Sequence, residues 1–158
     1  MIVTLVGTGP DSFDRLVRPL DELAGKKGWD VFIQLGHTRY VPRHCKYERF
    51  LDRAVLLQMI EGAELVITQG GYGGIRDALL FNKPIVAVPR DPTLNESPDY
   101  QDEMVKAMEE KGYLIGLYDT NQLELSVEKA KSFSPAARDA STIPSLLADY
   151  VTKRFICH

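Results

Sequence analysis

Short apolar runs alternate along this chain with segments of helical period. The runs predict strands at Ile2–Val6, Val31–Leu35, Tyr47–Phe50, Leu65–Thr68, Pro84–Val88 and Leu114–Leu117. Strands apolar throughout, rather than alternating, are those buried on both faces of a sheet. Helical spacing between the runs predicts helices at Ser12–Ala24, Ala54–Glu61, Gly74–Phe81 and Tyr100–Lys111, with another at Asn121–Lys131. Asn82-Lys83-Pro84 supplies a stop before the fifth strand. This rhythm predicts an α/β fold, a Rossmann-like parallel sheet with helices on both faces. Ser134–Ser141 reads as a connector, and apolar residues from Ile143 to Phe155 predict a C-terminal helix at about 142–155. With no internal repeat, residues 1–158 read as one domain.

The densest signal is Thr68-Gln69-Gly70-Gly71-Tyr72-Gly73-Gly74-Ile75-Arg76-Asp77, between a buried strand and a helix. Missing side chains let a ligand approach the backbone, and a helix start adds unpaired N–H groups and partial positive charge. An anion, above all a phosphate or diphosphate, is the expected guest. The alternative is a tight turn that only packs. The spacing G-G-x-G-G is not the dinucleotide fingerprint, and in the looser echo at Gly7–Ser12 a serine replaces the third glycine. In open parallel sheets ligands sit at the carboxyl ends of strands. That rule puts the glycine loop, Gly7–Pro10, Gly36–Arg39 and the polar loop Pro89–Pro98 on one rim.

Composition narrows the field. With 158 residues, 44% of them hydrophobic, the chain can bury a sizeable core. Its 19 basic and 22 acidic residues are mixed and give a net charge of −3, which argues against a nucleic-acid partner. No apolar run approaches the roughly 20 residues of a membrane span. The N-terminus lacks the basic start of a signal peptide, so a cytoplasmic location is expected. Cys45 and Cys157 lie beside His44 and His158 but lack the C-x-x-C spacing of a structural zinc site. No metal site is expected.

At this point a family resemblance emerges. Val3-Thr4-Leu5-Val6-Gly7-Thr8 with Ser12–Leu16, Phe32–Gly36, Ala63–Gly73, Lys83–Pro89 and Tyr100–Glu103 resemble, in order and spacing, the donor-binding C-terminal half of family 28 glycosyltransferases. The likeness runs from residue 2 to about residue 118. Within the family it is similar to small catalytic subunits of split UDP-GlcNAc transferases and to bacterial exopolysaccharide transferase subunits. The resemblance implies the C-terminal half of a GT-B enzyme that moves a sugar, with GlcNAc expected, from a UDP-sugar to a lipid-linked acceptor with inversion. It implies no metal or other cofactor. It also implies an acceptor-binding partner, either a membrane-associated subunit or a second copy, because one domain of this size cannot form a two-lobed cleft.

The same resemblance implies donor-binding roles for Gly7, Thr8, Gln69, Gly70, Gly71, Tyr72, Gly73, Gly74, Asp77 and Gln101. The amides of Gly70, Gly71, Gly73 and Gly74 would take the diphosphate. Asp77 stands where the family has a glutamate for the ribose hydroxyls; its other reading is an acid complementing the helix start. Gln101 would contact sugar or phosphate. The chain departs from the family at Gln69, usually His or Ser, at Gly74, usually Ser, and at Tyr100, commonly His. No general base is assigned. His37, the only histidine on the expected rim, is the candidate, with the base otherwise on the acceptor half. Two other readings stand beside the transferase. A nucleoside-monophosphate phosphoribohydrolase carries a similar P-G-G-x-G-T-x-x-E loop, and a non-catalytic nucleotide-sugar scaffold would tolerate the departures.

Overall fold

The computed structural model describes residues 1–137, so the helix expected at 142–155 and the Cys157–His158 pair lie outside the described residues. In chain order the elements are β1 (Ile2–Leu5), α1 (Asp14–Lys27), β2 (Val31–Gln34), β3 (Lys46–Glu48), α2 (Arg53–Gly62) and β4 (Leu65–Gln69). There follow α3 (Tyr72–Leu80), β5 (Ile85–Val88), α4 (Asp102–Glu110), β6 (Ile115–Gly116) and α5 (Leu123–Lys131), with single 3-10 turns at Pro92–Leu94 and Thr120–Gln122.

Every strand pairing is parallel, and the strand order is β3-β2-β1-β4-β5-β6. After β1 the chain builds outward through β2 and β3, then returns to place β4 on the other side of β1. The loops leaving β1 and β4 therefore diverge from neighbouring strands and leave a crevice, the topological switch point of a doubly wound sheet. Ile2, Ile33, Ile67 and Val86 pack one sheet face against Leu16, Leu20 and Val127 of α1 and α5. Val3, Leu5, Val66 and Ile85 pack the other against Ile60, Ile75, Leu79 and Val105 of α2, α3 and α4. The two-residue alternation along each strand thus feeds two separate cores.

The expected strand at Tyr47–Phe50 needs correcting. The paired residues are Lys46–Glu48, all exposed, and Phe50 is exposed beyond the strand's end. β3 is an edge strand with all three residues exposed, and its charged residues discourage pairing with other chains.

A buried carboxylate anchors the segment that leads into β3. Asp21 of α1 is fully buried and accepts hydrogen bonds from the backbone N–H groups of Arg43, His44 and Cys45 at 2.8, 2.8 and 2.9 Å, and from the Tyr40 hydroxyl at 2.9 Å. Burial alone would raise its pKa, but these four donors outweigh it and hold the carboxyl at about 2, below its ordinary 3.8. Beside it, burial and then the Asp21 charge push the Cys45 thiol up to about 12, which keeps it unreactive at neutral pH.

Because the Asp21 pKa is lower in the folded chain, its stabilisation is present above about 3.8 and lost as pH falls toward 2. Asp21→Asn should cost roughly 2–3 kcal/mol at pH 7, since an amide cannot accept all four bonds. The gap between variant and wild type should narrow at pH 3. Urea unfolding at both pH values measures this, and equal midpoints at pH 7 would contradict it.

Candidate functional site

The β1–β4 crevice opens into a cavity of about 250 Å3 lined by Leu5, Gly7, Thr8, Gln34, Arg53, Leu56, Thr68, Gln69, Gly73, Gly74 and Asp77. Six of the ten residues expected to bind the donor line this one cavity: Gly7, Thr8, Gln69, Gly73, Gly74 and Asp77. Gly71 and Tyr72 open α3 at its edge, with Gly71 at the N-cap and no side chain capping the helix. The N–H groups of Gly71, Tyr72, Gly73 and Gly74 therefore have no acceptor one turn back and mark the positive end of α3.

One expected amide donor is already committed. The Gly70 N–H donates to the Val88 carbonyl at 2.9 Å, because β4–β5 pairing continues one residue into the loop. Gly70 is needed instead for its bare α-carbon, since a Cβ there would come within 2.9 Å of Gln101 and Val105 and 3.0 Å of Pro89. At Gly7 the N–H donates to Gln34 Oε1, and Gln34 Nε2 donates back to the Gly7 carbonyl, both at 3.0 Å. Gln34 thus clamps the first loop in the positive-φ shape (φ 91°) that glycine permits.

Gln69 and Gln101 link the glycine loop to the loop after β5. Gln101 Nε2 donates to Gln69 Oε1 at 3.2 Å, while Gln101 Oε1 accepts from the Arg90 N–H at 3.1 Å. Gln69 also reaches the space in front of Gly7 and Gly71. Gln101 stands behind the loop rather than among the residues lining the cavity.

Asp77 is buried, and its carboxylate is forked by the Arg53 guanidinium and bound by Arg76 at 3.0 Å. Burial would raise its pKa, but the two arginines hold it below the ordinary value. Arg53 comes from the start of α2, so this half-exposed cation stands across the cavity from the α3 amides. His37 is placed differently. It is exposed, packs edge-to-face on Phe50 with centroids 5.1 Å apart, and is not among the cavity's lining residues.

The rim is stitched by a buried arginine that the sequence pattern did not single out. The Arg90 guanidinium donates to the carbonyls of Val6, Asp11, Ser12 and Glu96 at 2.9, 3.1, 3.3 and 2.6 Å, and lies over the Phe13 ring at 4.4 Å. Arg15 pairs bidentately with the buried Glu96 and also donates to the Pro89 carbonyl. The loops after β1 and β5 are thereby one unit. A larger concavity, about 450 Å3, lies on the β5–β6 side against Arg15, Arg90, Asp91, Asp102 and Asp119. Its arginines are committed and three carboxylates face it, so it suits an anion poorly. The β1–β4 cavity also holds a committed ion pair, Arg53 with Asp77, but the unpaired N–H groups at the α3 start give it donors for an anion.

The sequence matches the glycosyltransferase family 28 C-terminal domain over residues 1–148. No curated protein matches it significantly. Among solved structures it is similar to the UDP-GlcNAc 2-epimerase of Methanocaldococcus jannaschii in complex with UDP-GlcNAc and UDP (TM-score 0.67, 13% identity, covering 96% of this chain and 44% of that one). It is also similar to MurG of Acinetobacter baumannii (0.58, 15%, 96% and 49%) and to the kitacinnamycin glycotransferase (0.56, 21%, 84% and 35%). At these identities the likeness is one of fold, and the chain spans less than half the length of each.

Arg90→Gln should destabilise the chain by roughly 3 kcal/mol, because several buried carbonyls lose their donor together. Denaturant unfolding at pH 7 measures the loss, and a change below about 0.5 kcal/mol, typical of a surface site, would contradict the stitching role.

Proposed function

This chain belongs to the glycosyltransferase family 28 C-terminal domains, and from that membership we propose that it is the donor-binding half of a glycosyltransferase. Its donor is a UDP-sugar, with UDP-GlcNAc expected, and its acceptor is a lipid-linked sugar. The supporting observation is the uncapped start of α3 beside the Arg53–Asp77 pair at the switch-point cavity.

In this reading the diphosphate rests on the amides of Gly71, Tyr72, Gly73 and Gly74. The acceptor hydroxyl attacks the anomeric carbon from the face opposite the diphosphate. The bond from that carbon to the diphosphate oxygen breaks, and UDP leaves with the electron pair. The helix start and Arg53 stabilise the charge that grows on the departing diphosphate. Asp77 accepts the ribose hydroxyls once Arg53 turns from the carboxylate toward phosphate. The half-exposed Arg53 side chain has room for that turn.

A cavity of about 250 Å3 falls below the ~300–1,000 Å3 usual for small-molecule sites, which supports a second wall from another chain. That chain is the acceptor-binding half, either a membrane-associated subunit or a second copy, and it supplies the general base that His37 is poorly placed to be. Among the described residues no helix is long and apolar enough to cross a membrane.

Calorimetry with UDP, UDP-GlcNAc, AMP and NAD tests the reading. UDP compounds should bind tightest, with affinity unchanged by EDTA or Mg2+ because no metal carries the diphosphate. Preference for AMP would favour the phosphoribohydrolase. Asp77→Asn should weaken UDP about tenfold or more while affecting inorganic pyrophosphate less, since only UDP has ribose hydroxyls to lose. Equal loss for both ligands would remove the ribose role.

A further inference from the structure

One polar atom beside the α3 start has no partner. Thr68, near the end of β4, is fully buried, and its Oγ1 makes no hydrogen bond. The residue lines the switch-point cavity with Gly73 and Gly74. Buried hydroxyls are nearly always paired, so an orphan at a cavity wall marks a place where something else supplies the acceptor.

Gly74 shows why the hydroxyl lies where it does. A Cβ built on Gly74 would overlap Thr68 Oγ1 and come within 3.4 Å of Leu5 Cδ1. The Thr68 hydroxyl therefore fills the space that a side chain at position 74 would occupy, directly under the first turn of α3. Glycine at 74 puts no side chain between that hydroxyl and whatever sits on the helix start. Thr68 is β-branched and has few rotamers, so the hydroxyl is held in place before any ligand arrives.

We propose that Thr68 is a ligand-binding residue whose hydroxyl donates to a phosphate oxygen seated on the α3 amides, beside the bare α-carbon of Gly74. This rests on the nucleoside-diphosphate reading of the cavity and adds a side-chain donor beneath the backbone donors. The hydroxyl proton has no acceptor in the ligand-free chain, and a phosphate oxygen provides one. The ligand-free fold bears the cost of the orphan hydroxyl, and binding recovers it.

Thr4 provides an internal control. Its Oγ1 is also buried and unpaired, but β-strand alternation puts it on the opposite sheet face and it is not among the cavity's lining residues.

The test measures thermal stability and calorimetric affinity for UDP and inorganic pyrophosphate in wild type, Thr68→Val, Thr68→Ser and Thr4→Val. Valine keeps the shape and removes the orphan hydroxyl, so Thr68→Val should melt at or above the wild-type temperature. It should nonetheless bind UDP and pyrophosphate about tenfold more weakly, with Thr68→Ser close to wild type. Thr4→Val should share the stability effect and keep wild-type affinity. If wild type binds UDP and Thr68→Val binds it equally, the proposal is overturned while the donor-site reading stands. If wild type binds neither ligand, both fall. Weaker binding by Thr68→Val with a lower melting temperature and no rescue by serine would also overturn it, because the loss would then be structural.

Discussion

The rim of this sheet depends on one buried cation. Arg90 leaves the end of β5 and meets carbonyls from the loop after β1 and from the loop after β5, with the Phe13 ring against its face. Carbonyls buried without donors would each carry a desolvation cost, so the guanidinium fixes the paths of both loops together. Burial lowers the Arg90 pKa, with Glu96 and Asp11 opposing the shift, yet an arginine stays charged at any ordinary pH. The stitch is thus independent of pH across the range in which the protein would work. With the neighbouring loops held back, the divergence of β1 and β4 stays open as a cavity rather than filling with loop.

Around that cavity, polar groups divide between holding the fold and remaining available. Gly7 and Gly70 have their amides spent on Gln34 and on the β5 ladder. The α3 start keeps its N–H groups unpaired by helix geometry, and Thr68 keeps its hydroxyl. Arg53 and Asp77 lie between the two roles, because each satisfies the other in the ligand-free chain and each has chemistry to offer a nucleotide. The rigid part of the site is made from backbone, and its adjustable part is an ion pair reaching from α2 to α3.

Much of this architecture was legible from the chain alone, for a local reason. β1, β2, β4 and β5 are mainly apolar runs, and the structure moves their limits by one residue at most. β3 was misplaced because an exposed edge strand has no burial to write into its sequence. The glycine loop stood out because it needs several special residues in a row. What the pattern did not reveal are pairings across long separations. Arg90 with Val6, Gln34 with Gly7, Arg53 with Asp77 and Asp21 with the 43–45 backbone each join segments that only the fold brings together. An isolated arginine or glutamine carries no periodic signal, and Asp77 could be read as a site residue without any sign that two arginines hold it. Thr68 belonged to the conspicuous motif, yet its orphan hydroxyl is visible only beside Gly74 in three dimensions.

Where the nucleotide sits decides the role of the α3 start. Titration of isotopically labelled chain with UDP, followed through its backbone amide resonances, tests this most directly. With the diphosphate on the α3 start, the largest shifts fall at Gly71, Tyr72, Gly73 and Gly74, with smaller ones at Gly7, Thr8 and Arg53 and little change at Tyr118 or Asp119. Shifts centred on Tyr100, Tyr118 and Asp119, with the α3 start unmoved, would place the ligand in the β5–β6 concavity and contradict the switch-point site.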